Sequence, residues 1–546
     1  MSLRVLDYLV ARLKELGVLH VFGIPGDYVL PVYDALLEKG ISIVTTCDEE
    51  GAGFAADAYA RIRGMGAVCV TYCVGGLKVA NTTAGAYAEK SPVLVLSGAP
   101  GMKEREKNSL LHHKVRDFDT QRRVFEELTV ACTLLSEPER APQEVDRVLT
   151  QALRYKRPVY IELPRDTSFA PLPSSTPFPP PPLVVKEPSD PEALEEALEE
   201  AVTLLTSAQK PCLLADVEIH RFGLQQELEE FALQVEIPVA ATLLGKSVIA
   251  ETHPYYMGVY EGALGRPEVR EYVESSDCLL MLGVFMTDIN LGIYTAQLDP
   301  ARCIYATSER LSIRYHRYEN VTLEDFLRGL LKRTQGWKAP RREFPRPPGE
   351  LSLGEARDRV TVRSLFGRLN RYLTDETVVI ADVGDALFGA ADLLVHQRTE
   401  FLGSAYYASL GFAVPGALGA QLANARLRPL VLVGDGAFQM TGMELSTIAR
   451  WGLDPIVLLL DNQGYGTERQ IRQGPYNELL PWNYWKVPDV LGTGRAFLVE
   501  TNEQLESALQ ESFAVRGTFS LIQVRLNPED RSPALARLAE RLAAQQ

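Results

Sequence analysis

At 546 residues the chain is too long for one hydrophobic core, and at about 150 residues per domain it holds three or four. Hydrophobic residues make up 46% and charged residues 23%, the balance of a soluble globular enzyme. A net charge of −15 argues against a nucleic acid or an anionic membrane as partner, since a polyanion is repelled, but leaves room for a small anionic substrate held by a local site.

The N-terminal segment MSLRVLDYLVARLKELG carries charges throughout and lacks the apolar run and small-residue cleavage site of a signal peptide. No run approaches the roughly 18 apolar residues of a membrane span. Residues 4–17 read as a helix with Val5, Leu6, Leu9, Val10 and Leu13 on one side. A strand at 19–24 ends in Pro25-Gly26-Asp27, and helix 28–38 follows. A strand at 41–47 ends in Asp48-Glu49-Glu50-Gly51, ahead of a small-residue helix at 52–62. Next come a strand at 67–73, a Gly75-Gly76 loop, a helix at 78–89, a strand at 93–96, a loop with His112-His113, and a strand at 158–163. Alternating strand and helix implies a doubly wound parallel sheet.

Residues 170–188 form a stiff proline-rich linker. A second block spans 189–335, with a helix at 191–207 and strands at 212–217, 239–244, 278–284 and 304–306. A second proline-rich linker covers 336–350, and the last block ends in an amphipathic helix at 533–546. The expected fold is α/β, three doubly wound parallel-sheet domains at 1–180, 189–335 and 351–546 joined by proline-rich linkers.

Seven cysteines, an odd number set mostly in apolar runs, read as buried free thiols in a reducing cytoplasm. Residues 240–247 (AATLLGKS) fit a loose phosphate-loop pattern, but an interior with two leucines and no glycine cannot form a backbone cradle. This segment reads as a strand running into a turn.

The most informative stretch lies in the third block. An apolar run at 430–433 ends in Gly434-Asp435-Gly436, an amphipathic segment follows with Met440, Met443, Leu445 and Ile448 at roughly helical spacing, and a second apolar run at 455–460 ends in Asp461-Asn462-Gln463-Gly464. In a parallel sheet both strand ends fall on one edge, where ligands bind. Asp435 and Asn462 then meet as a hard oxygen site suited to Mg²⁺ or Ca²⁺ carrying phosphates, with the helix start after Gly436 adding N–H groups.

With Asp461-Asn462 closing a unit of about thirty residues, this stretch resembles the thiamine-diphosphate motif. The resemblance extends over nearly the whole chain through GIPGDYVLPVYDAL, CDEEGAGFAADAYARIRG, SLLHHKVRDFDTQRRVF, YYASLGFAVPGALGAQ and GPYNELLPWNYW. The chain is similar to the pyruvate, indolepyruvate and phenylpyruvate decarboxylase group. That resemblance implies thiamine diphosphate and Mg²⁺ as cofactors, the metal being held by Asp435, Asn462 and the Gly464 carbonyl. It further sets Gly436, Ala437, Asn462, Gly464, Tyr465, Val74 and Asp385 against the cofactor, with Leu410 propping it into a bent shape.

On residues alone either Glu49 or Glu50 could be the acid that touches the aminopyrimidine ring; the family pattern, counted back from Ala55-Ala56-Asp57, falls on Glu49. A carboxyl in an apolar pocket has a raised pKa, which suits that role. Asp27, His112, His113 and Glu468 are the implied acid/base groups, and histidine holds or donates a proton near neutrality. The implied reaction is non-oxidative decarboxylation of an aryl or larger aliphatic 2-oxo acid, such as phenylpyruvate or indolepyruvate, to the aldehyde and CO₂ through a thiamine ylide and enamine. Two rival readings are an acetolactate synthase-like carboligase, against which the His-His pair speaks, and a non-catalytic regulatory or binding protein on this fold. The implied assembly is a homodimer or homotetramer with active sites between subunits.

Overall fold

Runs of valine, isoleucine and leucine become the strands of three sheets in the computed structural model, which describes residues 3–347, 349, 351–396 and 399–543. The first sheet has the order β2-β1-β3-β4-β6-β5, with β1 at His20–Gly23, β2 at Ser42–Thr45, β3 at Gly66–Val70, β4 at Val93–Ala99, β5 at Ala131–Leu134 and β6 at Val159–Pro164. Its pairs are all parallel. Every residue of β3, β4 and β6 is buried, as strands covered on both faces must be.

The second sheet comprises β7 (Pro211–Ala215), β8 (Val239–Ala241), β9 (Tyr256–Val259), β10 (Cys278–Leu282), β11 (Cys303–Ala306), β12 (Leu311–Ile313) and β13 (His316–Tyr318), in the order β13-β12-β11-β10-β7-β8-β9. This sheet is parallel, as expected, except at one edge, where β12 runs antiparallel to β11 and to β13. The connection from β11 to β12 is only four residues long, too short for the crossover that parallel neighbours need. The third sheet has the order β15-β14-β16-β17-β19-β18, with β14 at Thr377–Ala381, β15 at Glu400–Gly403, β16 at Arg428–Gly434, β17 at Ile456–Asp461, β18 at Arg495–Val499 and β19 at Ser520–Arg525. β16 and β17 are parallel neighbours, Gly434 opposite Leu460, so their C-terminal ends share one sheet edge.

Contacts divide the chain into two compact units, Met1–Lys186 with Tyr407–Pro429 and Gln439–Pro455, and Glu187–Tyr406 with Leu430–Phe438 and Ile456–Gln546. Parts of the expected third block thus group with the first. The cause is close helix packing: helix Ala413–Ala423 lies against helix Glu49–Arg63, and a Cβ at Gly419 would stand 1.9 Å from the Ala55 carbonyl oxygen. Phe412 meets the Phe54 ring edge-on, and the Arg61 guanidinium lies 4.9 Å above it.

The segment expected to run as one amphipathic helix is broken into Asp435–Thr441, a tight turn at Gly442–Glu444 and Leu445–Arg450. Leu445 and Ile448 are buried, whereas Met440 and Met443 are exposed, so these four do not form one buried face. Helix Pro533–Ala543 ends the described chain; residues 544–546 of the expected terminal helix, and 348 and 350 of the second linker, lie outside the described residues. All seven cysteines are free; Cys69, Cys73, Cys212 and Cys278 are buried as expected, whereas Cys132 and Cys303 are half-buried and Cys47 is exposed.

The lysine of the 240–247 segment is fully buried. Lys246 Nζ lies 2.6 and 2.7 Å from the two Glu251 oxygens, the side chains being 0% and 3% exposed, and it also donates to the Ala391 carbonyl. Tyr256 Oη and the Val395 N–H donate to the same carboxylate. Lys246→Met strands this carboxylate in the interior, and its expected cost is about 3–5 kcal/mol, read as a lowered unfolding midpoint in urea.

Candidate functional site

The first compact unit brings Asp27, His112 and His113 together. Among the described residues they are the one group of three or more histidine, cysteine or acidic side chains whose polar atoms can all lie within 4.8 Å. His112 Nε2 and Asp27 Oδ2 are 2.8 Å apart, on side chains 55% and 49% exposed, so the pair is open to a small molecule. The Tyr28 ring stacks on His112 with centroids 5.1 Å apart, and the two histidine rings meet edge-on at 4.7 Å. His113 has a left-handed backbone, φ +67°, which turns the two neighbouring rings to one side.

A buried network anchors this loop. Tyr72 Oη and Arg105 Nη1 both donate to the Phe118 carbonyl. Arg105 pairs with Glu162, which also accepts from Tyr160 Oη. Gln121 Nε2 donates to Tyr160 Oη at 2.6 Å and to Ser97 Oγ at 2.7 Å, while its oxygen accepts the Cys73 N–H. Burial raises the Glu162 carboxyl, and the Arg105 charge opposes that shift. No local spacing points to Arg105, Gln121 and Glu162, because the side chains they pair with lie 24 to 57 residues away.

Glu49 is the first residue of helix Glu49–Arg63, not the close of the preceding strand, which stops at Thr45. Asp48 caps that helix, its carboxylate accepting the Glu50 N–H at 2.9 Å, which draws Glu49 into the first turn. Glu49 is 8% exposed and Glu50 half-buried. Glu49 Oε2 lies 2.8 Å from Lys78 Nζ, which also pairs with Asp48. Buried Glu444 braces the backbone just before, its Oε1 accepting the N–H groups of Cys47 at 2.9 Å and Asp48 at 3.3 Å. Val74 is exposed in the loop after β3, and Leu410 is half-buried in the turn before helix Ala413–Ala423.

The second unit builds a different cluster. Asp435 follows β16 and begins a helix; its Oδ1 accepts the Gly436 N–H at 2.8 Å and its Oδ2 accepts the Gly464 N–H at 2.9 Å. The loops after the two neighbouring strands therefore meet, as expected from the shared sheet edge. Gly464 has φ +144°, and a Cβ there would sit 2.1 Å from the Asn477 carbonyl oxygen, so no other residue fits. The carbonyls of Asn462 and Gln463 accept from Arg469, at 3.3 and 2.9 Å. Tyr465 lies beside Gly436, where an added Cβ would approach its ring to 2.7 Å. Ala437 is buried, and Glu468 is exposed on helix Gly466–Ile471. Both oxygens of Asp385 accept the Ser532 N–H, and burial pushes this carboxyl up to about 6.

This cluster fits a divalent cation. Asp435 is 2% exposed, and burial, then the neighbouring Asp461 carboxylate, push it up to about 7. Asp461 Oδ2 takes the Gln523 amide at 2.6 Å, but its buried Oδ1 has no partner. Among the described residues no lysine, arginine or histidine pairs with either acid. Adjacent buried carboxylates without a counter-charge are expensive, and a hard metal ion on an oxygen donor set relieves that cost. Backbone N–H groups at the helix start favour the phosphates such a metal carries.

Three parts of the chain match family descriptions: residues 3–121 "Thiamine pyrophosphate enzyme, N-terminal TPP binding domain", residues 198–332 its central domain and residues 382–524 its C-terminal TPP binding domain. The chain is 36% identical to the indole-3-pyruvate decarboxylase of Azospirillum brasilense, over 98% of this chain and 98% of that protein. It is 35% identical to the alpha-keto-acid decarboxylase of Mycolicibacterium paratuberculosis, over 95% and 93% of the two chains. It is also 35% identical to the alpha-keto-acid decarboxylase of Mycobacterium tuberculosis strain H37Rv, over 99% and 97%.

Proposed function

The chain belongs to the thiamine pyrophosphate enzyme family, and on that premise we propose that it decarboxylates a 2-oxo acid non-oxidatively to the aldehyde and CO₂, with aryl or larger aliphatic substrates such as phenylpyruvate or indolepyruvate preferred. The observation that carries this reading is the open cluster of Asp27, His112 and His113. The two imidazoles can bind the substrate carboxylate, and with the Asp27 carboxylate orienting His112 they can deliver a proton once CO₂ has left. Thiamine diphosphate, when bound, supplies the electron sink that the chemistry needs.

The chain's own residues orient and protonate. Glu49 would share a proton with a ring nitrogen of the aminopyrimidine, from a backbone braced by Glu444. Asp435, Asn462 and the Gly464 carbonyl would hold Mg²⁺; Gly436, Ala437 and Tyr465 would line the diphosphate; Val74, Asp385 and Leu410 would meet the organic rings. Glu468 stands exposed one turn beyond this loop and assists product release. The three sheets are the cores of domains at 1–180, 189–335 and 351–546. The working enzyme is a cytoplasmic homodimer or homotetramer, one subunit's acid/base cluster completing the other's metal cluster. No helix among the described residues is long and apolar enough to cross a membrane.

The test is a panel of 2-oxo acids, with kcat/KM compared between pyruvate, branched-chain and aryl substrates. The expected result is aldehyde from all responsive substrates and the highest kcat/KM for an aryl compound, at least about tenfold over pyruvate, as a fitted side-chain pocket allows. Acetolactate as the product from pyruvate, or no CO₂ release across the panel, rejects the proposal.

A further inference from the structure

We infer that Lys78 is a positioning residue that occupies Glu49 in the cofactor-free enzyme and must move wholly onto Asp48 for the aminopyrimidine ring to bind. This rests on the reading of Glu49 given above.

Two demands on one carboxylate conflict. The proposed role needs Glu49 to share a proton with a ring nitrogen. An ammonium 2.8 Å from Oε2 donates into the lone pair that the ring would use. Lys78 leans on the ring's own binding group.

The geometry also provides the way out. Lys78 sits in the tight turn Gly76–Val79, after the Gly75-Gly76 loop, and its Nζ contacts Asp48 as well as Glu49. The two carboxylates hold its ammonium above its ordinary value. The Lys78 and Asp48 side chains are each 47% exposed, whereas Glu49 is 11% exposed. An ammonium has three donors on a flexible stem, so it can release Glu49 and keep Asp48 near water. Asp48 cannot follow it, because its other oxygen accepts the Glu50 N–H and Glu444 holds its backbone. The pair Asp48-Glu49 is thus a fixed two-position track for one mobile cation, with the buried position serving the cofactor.

The experiment titrates metal-loaded apoenzyme with thiamine diphosphate, following tryptophan fluorescence or calorimetry, for the native chain and for Lys78→Met, Lys78→Arg, Glu49→Gln and the double variant Glu49→Gln/Lys78→Met. Lys78→Met is expected to bind the cofactor about 2–5-fold more tightly, the range of a half-exposed ion pair. Lys78→Arg, which keeps the charge, is expected to stay within about twofold of the native chain. In the Glu49→Gln background Lys78→Met is expected to change nothing, because no carboxylate is left to release. Unchanged or weaker binding in Lys78→Met, or the same gain in the Glu49→Gln background, overturns the inference. Failure of the underlying reading shows separately, as full decarboxylase activity in Glu49→Gln alone.

Discussion

Glu49→Gln is expected to lower kcat by at least about 100-fold while the protein still folds and still binds thiamine diphosphate, because general acid–base groups contribute about 10²–10⁴-fold. Glutamine keeps the length and most of the volume of the side chain. It therefore leaves intact the cap at Asp48, the brace from Glu444 and the small-residue contact with helix Ala413–Ala423. What it removes is a carboxyl able to carry a proton to and from the ring nitrogen. The measurement is kcat beside a cofactor titration on the same preparation. Loss of rate with retained binding supports the assignment, and a variant with native kcat rejects it. Glu50→Gln is the internal control: Glu50 lies half-buried one position further along the first turn, where its contact is a 3.3 Å hydrogen bond from Asn81.

Asp435→Ala is expected to weaken metal-dependent retention of thiamine diphosphate by more than about 100-fold, since even groups that only support a metal ligand are worth about 10–100-fold. The variant also frees the Gly464 and Gly436 N–H groups, so the loop after β17 loses the contact that joins it to β16. The check is cofactor content after gel filtration, with and without Mg²⁺, and the Mg²⁺ dependence of binding. A variant that copurifies with full cofactor places the metal elsewhere. The unpartnered oxygen of Asp461 makes Asp461→Asn an informative companion. That change leaves Asp435, the proposed ligand, in place but removes a negative charge beside it, and so separates ligation from the field around the ligand.

The sheets were legible because buried parallel strands are continuous apolar runs, as in Leu430-Val431-Leu432-Val433, and because proline-rich segments interrupt the chain between blocks. Part of what escaped was short or half-exposed, although the fully buried β14 and the long β19 were not read either. β13 has no fully buried residue, and β5 alternates buried and half-buried positions, so neither presents a continuous apolar run. The pattern also misled at Met440 and Met443, where helical spacing was present but the tight turn at Gly442–Glu444 broke the face. Single motifs placed Asp435 and Gly464 in one cluster, because thirty residues of strand, helix and strand return to one sheet edge. Asp27 and His112 meet across 85 residues, and Glu444 reaches Cys47 across almost four hundred. No local spacing encodes such contacts; they follow from how whole elements stack.

The left-handed backbone at His113 implies a trade between durability and turnover. For a residue with a Cβ that conformation costs about 1–2 kcal/mol, and glycine would adopt it freely. The protein therefore forgoes a simple gain in thermal tolerance at the position where the proposed reaction uses an imidazole. Selection of this enzyme for heat resistance alone would drift toward glycine there and remove an imidazole that the proposed reaction uses. An engineering campaign should hold His113 fixed and look for tolerance elsewhere, such as the exposed loops of the middle sheet.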